Sequence, residues 1–325
     1  MSTTEPTTDP SRSTYTLTVR ELQALLGVPI KNLRKELADL GQESSALRSA
    51  VPASRVRGVL AARGFEFPFR VVGVGNLRGG IGKTTCTITV GSRAAQYGFK
   101  TCILDMDAQG SASLAFGKAP EEDDLIFYDV WQKPGETVMS AVQRIDEGLY
   151  LLPSELENGL LDVSLLNPAT QKKAVKGVCE VLRQEGFDLV IIDCPPSLGA
   201  AVISTVCAAD TLVVPLWSDS FSFKGINLTL QEVDAICDAF GLEPPQIKLF
   251  YSRHDKREKL AARALERLRG EYAEYFVPAV VGTSTEFSRA LARRETIFAH
   301  HRSTPAKAAY DAFTRSLLGL EGLGT

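Results

Sequence analysis

The amino-acid sequence predicts an α/β fold, a mostly parallel sheet flanked by helices, preceded by a small all-α module. Two observations carry the sheet. From Arg70 onward the chain repeats short apolar runs, "RVVGVGN", "KTCILDMD", "LYLLPS", "DLVIIDCP", "TLVVPL" and "IKLFYS". Longer stretches with a helical period lie between them, at 84–97, 170–184, 224–240 and 257–272. Strands apolar on both faces and joined by helices belong to a parallel sheet covered on both sides. A third observation marks the module: residues 15–41 hold two helical patterns around the break Gly27-Val28-Pro29.

At 325 residues, 44% hydrophobic and 23% charged, the composition is that of a soluble globular protein. The net charge of -3 gives no overall attraction to nucleic acid, so any DNA surface must come from local clusters of Lys and Arg. Six cysteines are scattered without a CxxC pair or zinc spacing, which reads as buried free thiols of a reducing cytoplasm. Residues 1–14 are polar, contain proline and lack an apolar core. They read as a disordered lead-in, neither signal peptide nor membrane span.

In chain order, the module at 15–66 comes first. Leu22, Leu25 and Leu26 share one face before the break, and Ile30, Leu33 and Leu37 share one after it, with Pro29 placed to open the second helix. A glycine turn between two short amphipathic helices is a helix-turn-helix signature. Lys31, Asn32, Arg34 and Lys35 are then expected on the exposed face of a DNA-recognition helix. A third helix is expected within 51–65. The same pattern also suits a helical dimerisation unit whose basic face is only solvated. The α/β domain is expected to fill 67–325.

Three places at strand ends carry chemistry. In "LRGGIGKTT", directly after a strand and opening a helix, Gly79, Gly80, Ile81, Gly82, Lys83, Thr84 and Thr85 form a candidate phosphate cradle. Glycines let backbone amides close on phosphate oxygens, Lys83 reaches the β and γ phosphates, and the Thr84 hydroxyl can ligate Mg2+. The general pattern G-x-x-x-x-G-K-S/T has Leu77 here in place of its first glycine. In "LDMDAQG", Asp105 and Asp107 alternate along one strand and point to one face. One such carboxylate can hold a metal-bound water while the other orients the attacking water of a phosphoryl transfer. In "DLVIIDCPPS", Asp193 ends an apolar strand, as a Mg2+-binding Walker B carboxylate does. The fold class is therefore a P-loop NTPase.

With these motifs together, the chain from about Phe69 onward resembles the ParA/MinD family of deviant Walker ATPases, and ParA-type partition ATPases above all. "RGGIGKTT" answers the family's K-G-G-x-G-K-S/T-S/T, "DMDAQG" its D-x-D-P-Q-G with Ala108 for proline, and "IIDCPPSLG" its Walker B. The resemblance implies ATP and Mg2+ as cofactors and a homodimer closed over ATP, with the signature lysine reaching the partner's nucleotide. Arg78 stands at that position; it keeps the charge and adds a planar fork, yet is not interchangeable with lysine. The candidate catalytic residues are thus Lys83, Asp107 and Arg78, with Asp107 positioning the attacking water. Thr84, Asp105 and Asp193 are the candidate metal residues.

The resemblance further implies slow hydrolysis stimulated by a ParB-like or other adaptor, and non-specific binding to nucleoid DNA in the cytoplasm. The C-terminal third supplies a basic surface for it, with Arg253, Lys256, Arg257, Arg289, Arg293 and Arg294 foremost and Arg302 and Lys307 beyond. Membrane attachment of the MinD kind is not expected, since the terminal "LLGLEGLGT" carries no Lys or Arg. The expected function is a ParA-like ATPase that positions or segregates a plasmid, chromosome or protein-cluster cargo. The alternative is a nucleotide-tuned autorepressor using the helix-turn-helix.

Overall fold

The computed structural model describes residues 13–41, 49–76, 79–217, 222–255 and 257–323. At the N-terminus, strand β1 (Leu17–Thr18) leads into helices α1 (Val19–Leu26) and α2 (Ile30–Asp39), then strand β2 (Ala50–Val51) and helix α3 (Ala53–Ala62). Thr18 starts α1 with a capping box: its hydroxyl accepts from the Glu21 amide at 3.1 Å while the Glu21 carboxylate accepts from the Thr18 amide at 2.8 Å. Gly27 ends α1 in the left-handed conformation, and β1 pairs antiparallel with β2.

Among the described residues eight further strands follow: β3 (Arg70–Val74), β4 (Thr101–Asp105), β5 (Gln143–Asp146), β6 (Leu149–Leu152), β7 (Leu189–Asp193), β8 (Thr211–Leu216), β9 (Gln246–His254) and β10 (Phe276–Gly282). They form one sheet in the order β10-β9-β8-β3-β7-β4-β6-β5, parallel except for the β5-β6 pair. The predicted mostly parallel sheet is therefore present, with two edge strands that the apolar-run criterion misses. β10 carries Pro278, which an edge strand tolerates because it has no ladder bond to lose. β5 reads "QRID", too polar to stand out, as suits the other edge.

Helices α4 (Lys83–Gln96), α5 (Ser111–Ala115), α13 (Glu286–Leu291) and α14 (Pro305–Leu318) cover one face, around Val72, Val74, Ile103, Ile191 and Phe250. The other face, around Leu104, Val190, Ile192, Val214 and Leu249, is covered by α6 (Phe127–Val130), α7 (Pro134–Ala141), α8 (Leu161–Ser164), α9 (Pro168–Gln184), α10 (Ala200–Val206), α11 (Ser222–Phe240) and α12 (Lys259–Glu271). Two 3-10 stretches, Leu156–Leu160 and Ile297–Ala299, complete the layers. All six cysteines are buried and free.

The N-terminal helices share a core with this sheet. Tyr15, Leu17, Val19, Leu22 and Leu26 belong to the same buried cluster as Ile88, Val90, Phe99 and Phe298. Polar ties reinforce the seam: Gln96 donates to the Thr16 and Phe298 carbonyls at 3.1 and 3.0 Å, and Arg57 grips Asp188 with two hydrogen bonds, at 2.5 and 3.1 Å. A side chain at Gly98 would stand 2.8 Å from the Arg57 backbone, so glycine there lets α3 close on the end of α4.

Candidate phosphate and metal site

The chemistry assembles where β3, β4 and β7 end side by side. Val74 pairs with Asp193 across β3 and β7, and Asp105 with Asp193 across β4 and β7, so three neighbouring strands deliver the turn and two carboxylates to one edge. This is the carboxyl edge at which open α/β sheets bind ligands.

Beyond β3 the glycine-containing turn at 79–82 leads into α4. Gly82 holds the N-cap of α4 at φ 92, and no side chain caps the helix. A 14-residue helix that starts without a capping side chain directs its N-terminal dipole at whatever lies beyond the turn, as an anion site requires. The Ser252 hydroxyl pins the turn from behind, 3.0 Å from both the Ile81 and Leu216 carbonyls. Lys83 is buried at 7% exposure. Burial lowers its ammonium from the usual lysine range, against the opposing pull of Asp193 and Asp107. Thr84 and Thr85 are half-buried beside it. Leu77 and Arg78 lie outside the described residues.

Asp105 is fully buried, and its Oδ2 accepts from the Ser113 amide at 2.9 Å and hydroxyl at 2.8 Å. Asp193 is equally buried; Thr87 donates to its Oδ1 at 3.1 Å, and the Thr84 side chain also favours its charged form. The second oxygens, Asp105 Oδ1 and Asp193 Oδ2, have no hydrogen-bond partner among the described residues. Burial raises both acids above the ordinary carboxylate range; mutual repulsion lifts Asp193 further, while the Ser113 bonds hold Asp105 back. Two orphaned, buried carboxylate oxygens beside a threonine hydroxyl are the donor set that a hard divalent cation completes. No group of three His, Cys, Asp or Glu among the described residues stands close enough to hold a metal alone. That fits Mg2+, which takes one or two carboxylates and fills its remaining positions with water and phosphate.

Asp107 is half-buried in the loop after β4, its Oδ1 accepting from the Gln109 amide at 3.0 Å and its carbonyl from the Ser154 hydroxyl at 2.7 Å. The supporting layer of Thr87, Ser113, Ser154 and Asn158 is absent from the sequence reading. Thr87 lies one helical turn after Lys83, and Asn158, which donates to the Asp105 carbonyl at 3.3 Å, is brought in by a distant 3-10 stretch.

The raised acids have a consequence for stability. Between about pH 4 and the higher native value, the folded protein holds protons that the unfolded chain has shed, so stability falls as pH rises through that window. Asp193→Asn, which removes a buried charge, is expected to raise the melting temperature of metal-free protein at pH 8 by about 2 °C or more. The gain should shrink toward pH 4. Thermal denaturation across pH checks this; a variant less stable than the parent at pH 8 would contradict the carboxylate assignment.

The basic residues divide. Lys31, Asn32 and Lys35 are exposed on α2, and Arg34 between them is half-buried. Arg257 is exposed and clamps Asp255 at 3.0 and 2.7 Å. Arg289, Arg293 and Arg294 are exposed, Arg293 lying 2.9 Å from the His300 ring and Arg294 packing over Gly117. Lys256 and the Arg253 side chain lie outside the described residues. Among the described residues no helix is long and apolar enough to cross a membrane.

Comparison with known proteins agrees with this geometry. An AAA domain family matches residues 69–244. Over 255 residues the chain is 24% identical to the chromosome partitioning protein ParA of Caulobacter vibrioides, covering 78% of this chain and 96% of that protein. It is 30% identical over 246 residues to the chromosome-partitioning ATPase Soj of Thermus thermophilus, covering 74% and 92%. Among solved structures, the ATP complex of Cyanothece McdA superposes with a TM-score of 0.70 at 20% identity, over 77% of this chain and 96% of that one. At that identity the likeness speaks for the fold.

Proposed function

We propose that this chain, which belongs to the ParA-type partition ATPases, is a nucleotide switch that closes into a homodimer over ATP and holds DNA in that state. Its task on this reading is to position or segregate a plasmid, chromosome or protein-cluster cargo. The nucleotide is ATP and the metal Mg2+. Gly79 to Thr85 cradle the phosphates, and Thr84, Asp105 and Asp193 hold the metal directly or through water. The metal supplies charge neutralisation between the β and γ phosphates. Asp107 orients the attacking water, and Arg78 reaches the partner's nucleotide. Hydrolysis is slow and is stimulated by a ParB-like or other adaptor. The protein works in the cytoplasm on the nucleoid.

One observation carries the dimer: the nucleotide end is rimmed by exposed aliphatic side chains. Leu114, Leu156, Leu160, Val163, Leu166 and Leu198 are 41–75% exposed. Their segments pack around the site, with Asp162 accepting from the Ala200 amide at 2.6 Å and a side chain at Gly159 reaching within 3.7 Å of Ala108. A rim this apolar supports a surface that another copy covers, and its place around the P-loop couples closure to nucleotide.

DNA binding then follows from pairing two copies of the exposed Arg289, Arg293 and Arg294 with the basic face of α12. The test measures binding to unrelated duplexes with ATP, ADP and no nucleotide across a salt series. Binding confined to ATP and falling steeply with salt is expected; binding indifferent to nucleotide would sink the switch. The exposed Lys31, Asn32 and Lys35 favour a second reading, an autorepressor in which α2 reads an operator. Because the N-terminal helices share the core, the proper probe is Lys31→Glu with Lys35→Glu rather than a deletion. Loss of binding to the upstream DNA of its own gene, with non-specific binding kept, is the outcome that reading requires.

A further inference from the structure

Helix α1 and the segment leading into α14 leave a cleft of about 760 Å3 between them. Arg20 stands on the α1 wall, His301, Arg302 and Lys307 on the other, and Phe298 and Arg93 of α4 also line it. Its acids are already engaged. Glu21 accepts from Thr18 and pairs with Arg93 at 3.3 Å, while Asp311 accepts from Arg93 and Tyr97 and pairs with Arg315 at 3.1 Å. Arg20 and Arg302, in contrast, have no hydrogen bond or ion pair among the described residues. Among the described residues the Lys307 ammonium likewise has no hydrogen bond or ion pair, and it lies 5.9 Å from the centre of the Phe298 ring. Burial, then the nearby Arg93, outweigh Glu21 and Glu286 and hold the Lys307 ammonium down to about 8.

Three cations from two ends of the chain thus face one cavity whose lining acids, Glu21 and Asp311, are bound to other groups. Cations converging from opposite walls on such a space suit an anion with more than one charged group. The volume lies in the range of small-ligand pockets. This anion is not the one at the P-loop: Arg93 follows Lys83 by ten positions on one helix, about 15 Å along its axis.

We propose that this cleft is a second anion site, which binds a small ligand carrying two or more phosphate groups independently of the P-loop. Arg20 grips it from one side, and Arg302 and Lys307 from the other. The test uses the full chain with its P-loop saturated by Mg-ADP, titrated calorimetrically with inorganic pyrophosphate and, separately, with a short duplex. One saturable pyrophosphate site per chain is expected, weakened about tenfold or more by Arg20→Gln with Arg302→Gln and again by Lys307→Met. Melting temperatures equal to the parent's would show that these variants fold. Absence of saturable binding, or equal binding by the variants, overturns the proposal. So does duplex binding that depends on these residues without pyrophosphate binding, which would make the cleft the edge of a DNA surface.

Discussion

Lys83→Ala is expected to lower ATP turnover by about a hundredfold or more, the cost of removing a pre-placed charge from a phosphoryl-transfer site. The structure makes the effect large for a specific reason. Lys83 is buried at the head of α4, where its ammonium faces Asp193 and Asp107 in a desolvated setting. A charge placed there needs little reorganisation when the γ-phosphate develops charge, and alanine leaves two carboxylates facing that phosphate instead. Phosphate release under saturating ATP measures it, with DNA present and absent. Turnover within about threefold of the parent would remove Lys83 from the catalytic set. Lys83→Arg distinguishes charge from shape, since the guanidinium keeps the charge but not the compact reach.

Arg93→Met is expected to cost about 3 kcal/mol of folding stability and to loosen the N-terminal helices before the rest of the chain. Arg93, 5% exposed at its side chain, pairs with Glu21 of α1 and Asp311 of α14 and bonds Gln96 at 2.8 Å. Its guanidinium also lies over the Tyr97 and Phe298 rings, at 4.8 and 4.7 Å from their centroids. Burial opposes the charge, but Tyr97, Asp311 and Glu21 more than offset it, so the group stays cationic. Truncation leaves two partly buried acids with fewer partners, which is the costly half of breaking a buried ion pair. Urea denaturation gives the magnitude, and amide exchange over 15–40 gives the location. Adding Glu21→Gln and Asp311→Asn should recover part of the loss. A single variant as stable as the parent would show that this junction does not bind the N-terminal helices to the P-loop helix.

The sheet and the residues gathered at its edge were readable from local pattern. Strands such as "LVIID" are apolar on both faces because both are covered, and glycine, lysine and threonine after one strand have few uses besides phosphate. Asp105 and Asp193 could be placed because each ends an apolar run, and the run's end is the ligand-binding edge. These features repeat or terminate within a few residues, so a window along the chain contains them whole.

What covers each face is not contained in any window. The Arg93 bonds to Glu21 and Asp311 join residues 72 and 218 positions away, and the reading of 15–66 as a separate module had no means to foresee them. The same holds for Ser113 and Thr87, whose bonds use one oxygen of each buried acid and leave the other orphaned, and for Arg20 meeting Arg302 and Lys307 across a cleft. Sequence period specifies that a helix has an apolar side; packing selects the partner for it, because burial is non-directional and rewards any surface of the right shape. The candidate phosphate site thus lay in the order of the residues, while the electrostatics around it and the union of both chain ends with its helix came from the packed whole.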